Sequence, residues 1–506
     1  MTRSAPLAVV LCLQAVLLFF ALGLLPSWGD ELSTAHTAAR PVGAIITHVE
    51  HDIHPPLYFI LLHYWIKLPL PWTGMAAMRA FSAVWALLAT LLLDLLWTRS
   101  WPPLPRWLAL SLFALSPCLL LYGRMARSYS MQLALTLVSL AMLRRWMSQP
   151  RSLPFAAASF AALLTLLYTH YVPGLAVLGG VALAGWMCTG IARAATFVLA
   201  VLLGYAPWAV ALLQALDRWV RDRGYSSTYL ISGNPLAEHA IRIGFGLVSL
   251  TIGESFMAWS LALVPVILLL AVAGARTAAF PRHFKALLAI TGVIGYLGVS
   301  RWVSYPFVPA RLLWLLPFLS LPVALGISRV HRMAIRWGVT AAILLSYATS
   351  YAMYFRQENF LNLGYVAPIP QIAATLNGNA QPRDLIVLDM YDTDFQAISA
   401  HLSGRTPAVA PYAGDVPGLS GPVRAAPTVW MVRNTRDISP GKAITRLQSE
   451  ACAGRAERDI FLDPYASWER TAMSVLQHRP VPAYFYQLTV CGQAAEHPLA
   501  PPALFR

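Results

Sequence analysis

The sequence is short of charge. Only 12% of its 506 residues are Asp, Glu, Lys or Arg, while 58% are hydrophobic and the mean hydropathy is +0.58. Those values exclude a water-soluble globule of this length and make lipid the main solvent. Acidic residues are the scarcer half, 22 against 37 basic, for a net charge of +15. A nucleic-acid binder carries such an excess in dense basic stripes, whereas here Lys and Arg are dispersed between apolar runs, so no nucleic-acid partner is expected. Cysteine is also rare. Cys12, Cys118 and Cys188 fall inside apolar runs, where a thiol acts as a small hydrophobe. That leaves Cys452 and Cys491 as a pair that an oxidising compartment would bridge. The chain has no HExxH motif, no glycine-rich phosphate loop, no internal repeat and no low-complexity tract.

Long apolar runs are what it has instead. Windows near the roughly 20 residues a membrane helix needs run from Leu7 to Leu25, Ala76 to Trp97, Trp107 to Tyr122, Tyr129 to Leu143, Leu153 to Thr169 and Tyr171 to Met187. Others follow at Ala194 to Leu213, Ala258 to Ala273, Ala286 to Ser300, Pro306 to Ile327 and Trp337 to Tyr354. The fold class expected is a polytopic α-helical membrane protein of about eleven spans. With Arg3 in the cytoplasm, alternate loops contain Arg99 and Arg106; Arg144, Arg145 and Arg151; Arg193; Arg276, Arg282 and Lys285; and Arg329, Arg332 and Arg336. None of those loops contains an acid, and every acidic residue except Asp94 falls on the other side, so the positive-inside rule predicts an N-in/C-out topology. Asp94, near the cytoplasmic end of its helix, is expected to reach toward the interface or Arg99. Arg3 and the first apolar run also fit a signal peptide, but the run is long and no A-x-A site follows it, so the first helix is expected to stay.

Residues 1–355 therefore form a transmembrane domain with two long outer loops, 26–75 and 214–257, and residues 356–506 a soluble extracytoplasmic domain. In the first loop, His54 to Leu68 is too short and too polar to span, and reads as an interfacial helix with Pro55 and Pro56 at its start. In the second, Leu236 to Ile252 is interrupted by Glu238, His239 and Arg242 and is not counted as a span. Beyond residue 356 the apolar runs shorten to strand length, at Leu385, Thr428 and Ala483. Helical patterns at Ile369 to Asn377 and Lys442 to Glu450 alternate with them, predicting a small α/β domain.

Polar residues cluster on the outer side. Asp30 and Glu31 follow the first helix, where a carboxylate could act as a general base or simply begin a solvated loop. His48, Glu50, His51, Asp52 and His54 have the ligand types a divalent metal accepts, without a diagnostic spacing. The same stretch could be an interfacial polar segment, or His54 could contact a phosphate. Arg124, Arg127 and Tyr129 occupy a short outer loop, against the cytoplasmic bias of positive charge. Such a position suits a phosphate partner, which a guanidinium meets bidentately, or a lipid headgroup. Arg301 and Arg311 lie on the same side and could help neutralise a leaving phosphate.

In order, these motifs resemble the C-type glycosyltransferase fold, the superfamily of protein O-mannosyltransferases (dolichyl-phosphate-mannose-protein mannosyltransferase-like) and lipid A aminoarabinose transferases. The family's outer W-x-D-E is Trp28, Gly29, Asp30, Glu31. Its acidic residue, HPPLY and L-H-x-W are Asp52, His54 to Tyr58, Leu62, His63 and Trp65. Its R-x-x-S is Arg79 and Ser82, and its A-R-x-Y is Ala126, Arg127 and Tyr129. Met125 stands where members often have an acid. These motifs lie in the first 150 residues or so; further on, VPARLLWLLP is the segment that supports the resemblance.

The resemblance implies an integral membrane glycosyltransferase of the bacterial inner membrane. It would move a sugar from an undecaprenyl-phosphate carrier to a glycan, lipid or protein acceptor on the outer face, with inversion. Asp30 would be the base supported by Glu31, and Arg124, Arg127, Tyr129, His54 and Tyr58 would hold the phosphate. The resemblance assigns no cofactor, and a divalent metal at His48, Glu50 and His51 stays an open alternative from the residue types alone. A transporter or flippase for a lipid-linked sugar, or an envelope scaffold, is the alternative. Transporters place polar groups at the midplane, and here they sit at one face.

Overall fold

The structure is a computed structural model and describes residues 5–223, 235–277, 279–300, 308–389, 398–399, 401–402, 409–411, 419–434, 442–464 and 484–495. The chain divides into two compact units, Met1–Leu24 with Thr34–Leu361, and Leu25–Ser33 with Asn362–Arg506.

The first unit is helical because lipid cannot satisfy backbone amides, so an apolar run must bond to itself. Its helices are α1 (Ala5–Phe19), α2 (Gly29–Ala38, whose first turns belong to the other unit), α3 (Val42–Glu50), α4 (Leu57–Trp65), α5 (Gly74–Leu93) and α6 (Pro103–Ala114). They continue with α7 (Pro117–Gly123), α8 (Tyr129–Ser148), α9 (Leu153–Thr169), α10 (Tyr171–Gly180), α11 (Trp186–Thr189) and α12 (Ile191–Arg223). The last are α13 (Pro235–Ile252), α14 (Leu263–Ala275), α15 (Arg282–Gly298), α16 (Leu316–Ser328) and α17 (Met333–Arg356).

Among the described residues, five helical stretches are long and apolar enough to cross a membrane: Gly74–Thr98, Tyr171–Thr189, Ile191–Arg218, Ala258–Ala275 and Pro309–Ser328. The α6–α7 pair, bent by 45°, makes a sixth if taken as one span, and Leu7–Phe19 and Leu153–Thr169 are apolar but shorter. The remaining windows, covered by α8, α15 and α17, are helical as well. The protein is thus a multi-pass integral membrane protein.

Two features lock the bundle. Gly274 of α14 and Gly326 of α16 let those helices meet backbone to backbone, since a Cβ on Gly274 would overlap the Pro322 carbonyl and one on Gly326 that of Leu270. Asp94 is buried in a π-helical turn after α5 and takes a bidentate pair from Arg106, with both contacts at 2.7 Å, plus the Thr98 hydroxyl at 3.1 Å. Its partner is therefore Arg106 and not the adjacent Arg99. A guanidinium twelve residues away can present both nitrogens to both oxygens.

The second unit holds a five-stranded mixed sheet of β1 (Leu385–Asp389), β2 (Val409–Pro411), β3 (Thr428–Asn434), β4 (Glu457–Pro464) and β5 (Tyr484–Gly492), in the order β2-β1-β3-β5-β4. β1 is parallel to β2 and β3; β5 is antiparallel to β3 and β4. Both faces are covered, as the alternation of β1 requires. Ile386 and Leu388 pack with Trp430, Leu488 and helix α18 (Ile369–Asn379), while Leu385 and Val387 pack with Val429, α19 (Ser420–Ala425) and α20 (Lys442–Cys452). Leu32 joins the first of these cores. Cys452 at the end of α20 and Cys491 in β5 form a disulfide, Cα atoms 4.9 Å apart.

Candidate active site

Three segments far apart in sequence meet around Arg127. The side chain is 7% exposed. Its Nη1 donates to Thr34 Oγ1 at 2.9 Å, and its Nη2 lies 2.9 Å from His54 Nε2. A guanidinium can only donate, so Nε2 is the acceptor and the imidazole proton sits on Nδ1. Nδ1 in turn faces Asp52 Oδ2 at 2.9 Å, and Asp52 Oδ1 accepts from the Ile53 amide at 2.7 Å. Burial pushes the Asp52 carboxyl up, but His54, the Ile53 amide and the Arg127 charge outweigh it and hold the group well below the usual carboxylate range. Asp52, His54 and Arg127 thus form a chain in which each group fixes the next.

The Arg127 backbone is fixed too. Ser82 Oγ donates to its carbonyl at 3.1 Å, which leaves the Tyr58 hydroxyl, 3.1 Å from Ser82 Oγ, to donate to the serine. Tyr58 is presented by α4, which begins at Leu57, since His54 and Pro55 each precede a proline and are driven out of the α region. His63 Nδ1 meets the Ala38 carbonyl at 2.8 Å and Trp65 donates to the Ala77 carbonyl at 2.8 Å, so both brace α4.

His170, which sequence reasoning passed over, completes this region. Buried between α9 and α10, it caps α10 by accepting the Val172 amide on Nδ1 at 3.2 Å, and its ring centroid is 6.4 Å from that of His54. Burial, followed by the neighbouring His54, Arg311 and Arg127, drives its pKa well down, so it stays neutral beside two guanidinium groups. Arg311, in a 3-10 turn over Pro309–Leu315, belongs to the same neighbourhood. Arg301 lies outside the described residues.

Arg124 has a different place. It is buried, donates to the Leu17 and Ala21 carbonyls, and lies 5.2 Å from the Tyr354 ring and 5.6 Å from that of Phe355. With Arg79, which donates to the Leu22 carbonyl at 2.8 Å, it ties down the chain where α1 ends. Tyr129 is buried with its ring 6.0 Å from Tyr122. Asp30 and Glu31 are in the first turn of α2, where the helix dipole favours carboxylates; Glu31 is buried and Asp30 half-buried.

His48 and Glu50 sit at the end of α3, and His51 caps it with Nδ1 on the Thr47 carbonyl at 2.8 Å. Burial and Arg40 depress the His48 pKa. Among the described residues, these three do not converge as a metal-ligand set. The one such set is Cys452, Glu457 and Cys491, whose sulfurs are already in the disulfide.

A buried carboxylate, Glu254, also escaped sequence reasoning. Glu254 follows Gly253, whose φ of +91° suits glycine. Its Oε1 accepts from Tyr122 and, at 3.0 Å, from Ser249, while Oε2 has no partner. Burial raises its pKa to about 7 against the lowering effect of those two hydroxyls.

Neither a protein-family model nor a curated protein matches the chain. Solved structures do. ArnT from Cupriavidus metallidurans in the apo state matches with a TM-score of 0.55 at 13% identity, over 97% of this chain and 99% of that one. The same protein bound to undecaprenyl phosphate matches with a TM-score of 0.54 at 14% identity, over 98% and 100%. The likeness thus runs over nearly the whole length of both chains.

Proposed function

From a chain with the fold of the C-type membrane glycosyltransferases, we propose an enzyme that moves a sugar from an undecaprenyl-phosphate carrier to an acceptor on the outer face of the bacterial inner membrane. The observation that carries this reading is the convergence of Arg127, Asp52, His54, Ser82 and Tyr58 from separate segments of the first unit. The full-length likeness to a protein solved with undecaprenyl phosphate supports it.

In this mechanism the acceptor hydroxyl loses its proton to Asp30 as its oxygen attacks the anomeric carbon opposite the phosphate. The carbon–oxygen bond to the carrier breaks, the configuration inverts, and the lipid phosphate departs with the bonding pair. That phosphate is already a stable anion, so it needs cations more than a general acid. Arg127 supplies the charge, exchanging one neighbour for a phosphate oxygen while Asp52 and His54 keep its plane aligned. Arg311 adds charge, Tyr58 and Tyr129 shape the phosphate site, and Arg124 secures the end of α1 beside it in sequence. Glu31 supports the base. The outer sheet domain is proposed to bear on the choice of acceptor.

The test is transfer by the purified protein in lipid from a panel of undecaprenyl-phosphate sugars, native chain against Asp30→Asn. Transfer that the substitution removes supports donor class and base together. No turnover of any carrier, with the cellular phenotype unaffected by Asp30→Asn, would replace this reading with a transporter or a scaffold.

A further inference from the structure

A shallow cleft of about 380 Å³ opens where the turn between α8 and α9 meets the start of α12, lined by Gln149, Pro150, Arg151, Ser152 and Arg193. Both arginines are exposed. Arg193 donates from Nη1 to the Thr189 carbonyl at 3.3 Å, and among the described residues neither arginine belongs to an ion pair. The surrounding chain has little to neutralise them. No Asp or Glu occurs between Asp94 and Asp217, and Asp94 is committed to Arg106. Beside the arginines in sequence stand large apolar side chains that are also exposed, Leu153 at 80%, Ile191 at 72%, and Trp186 and Met187 at 47% each. In a membrane protein such side chains meet acyl chains.

Two guanidinium forks outside any described ion pair, flanked by acyl-facing side chains, match the two halves of a lipid with a net negative head. We propose that this cleft binds the headgroup of an anionic phospholipid, with Arg151 and Arg193 donating to its phosphate oxygens and Leu153 and Ile191 lying against its chains. This site is separate from the Arg127 region and does not depend on the transfer reaction. All of its residues belong to the first unit.

The experiment is a native mass-spectrometric titration of the delipidated full-length protein in detergent, with phosphatidylglycerol and phosphatidylcholine as probes and inorganic phosphate as competitor. Phosphatidylglycerol is expected to bind more tightly than phosphatidylcholine. The Arg151→Gln/Arg193→Gln protein should lose about five-fold in phosphatidylglycerol affinity per arginine and keep its phosphatidylcholine affinity. Arg329→Gln/Arg332→Gln removes the same charge from another loop and should leave both affinities unchanged. Equal binding of the two lipids would overturn the proposal, as would an equal loss in the Arg329/Arg332 protein. Displacement of phosphatidylglycerol by millimolar phosphate would identify a free-anion site and overturn it as well.

Discussion

Arg127 and Arg124 sit three residues apart and carry the same charge, yet the structure gives them opposite surroundings. Arg127 points at side chains that can be exchanged for a ligand, whereas Arg124 is spent on main-chain carbonyls and two aromatic rings. Alanine at Arg127 should therefore lower kcat/KM for transfer about a hundredfold or more. Lysine there should recover little, because one ammonium cannot replace a fork held at two nitrogens. Arg124→Ala should instead lower the melting temperature, by taking a charged donor from the buried carbonyls of Leu17 and Ala21. Steady-state kinetics and thermal unfolding on the same preparations distinguish the two. Local sequence showed both arginines but could not separate them, because the partners that do so lie about a hundred positions away. His170 was readable in principle, as a single imidazole between two apolar runs where lipid favours none.

Glu254 yields a pH prediction. Its carboxyl titrates at about 7 in the folded protein against an ordinary value of 4.5, so between these values the folded state holds a proton that the unfolded state has released. Its contribution is complete below about 4.5 and is lost as pH rises through about 7. Glu254→Gln should flatten that part of a melting-temperature profile measured from pH 4 to 8 in detergent.

Helices were the most legible elements, because hydropathy and the demand for internal backbone bonds point to the same answer. Their ends were less so. The helix expected from His54 to Leu68 is confined to Leu57–Trp65, since paired prolines delay its start and Pro69 follows close behind. What hydropathy does not disclose is which small residues are contacts. Gly274 and Gly326 look like any membrane glycines until α14 and α16 are seen to touch through them. Leucine at either position meets a main-chain carbonyl that no rotamer change can move aside, so α14 must separate from α16. We expect Gly274→Leu to elute as aggregate in size-exclusion chromatography, and Gly338→Leu, where a Cβ meets nothing, to elute as the native protein does.

In the molecule as a whole, the C-terminal sheet was legible at its apolar strands, β1, β3 and β5, and not at its edges. β2 is three residues ending in proline, and β4 opens with Glu457, Arg458 and Asp459, a pattern that suits a strand only once β5 supplies a partner. The disulfide joins residues 39 apart, and closing a loop of that length restricts the unfolded chain by about 4 kcal/mol. Cys452→Ser should accordingly lower the denaturant midpoint of the C-terminal unit and leave transfer chemistry at the Arg127 site unchanged when assayed below that midpoint.

The same bond turns part of the backbone into a ring. A protease that cuts once anywhere between Cys452 and Cys491 cannot shed a fragment, because both sides of the cut remain tied through sulfur. Nicked protein would migrate as one band until thiol is added and as two bands afterward. Applied to intact cells and to inverted vesicles, that pair of gel lanes reports in one measurement whether the bridge has formed and which side of the membrane the C-terminal unit faces.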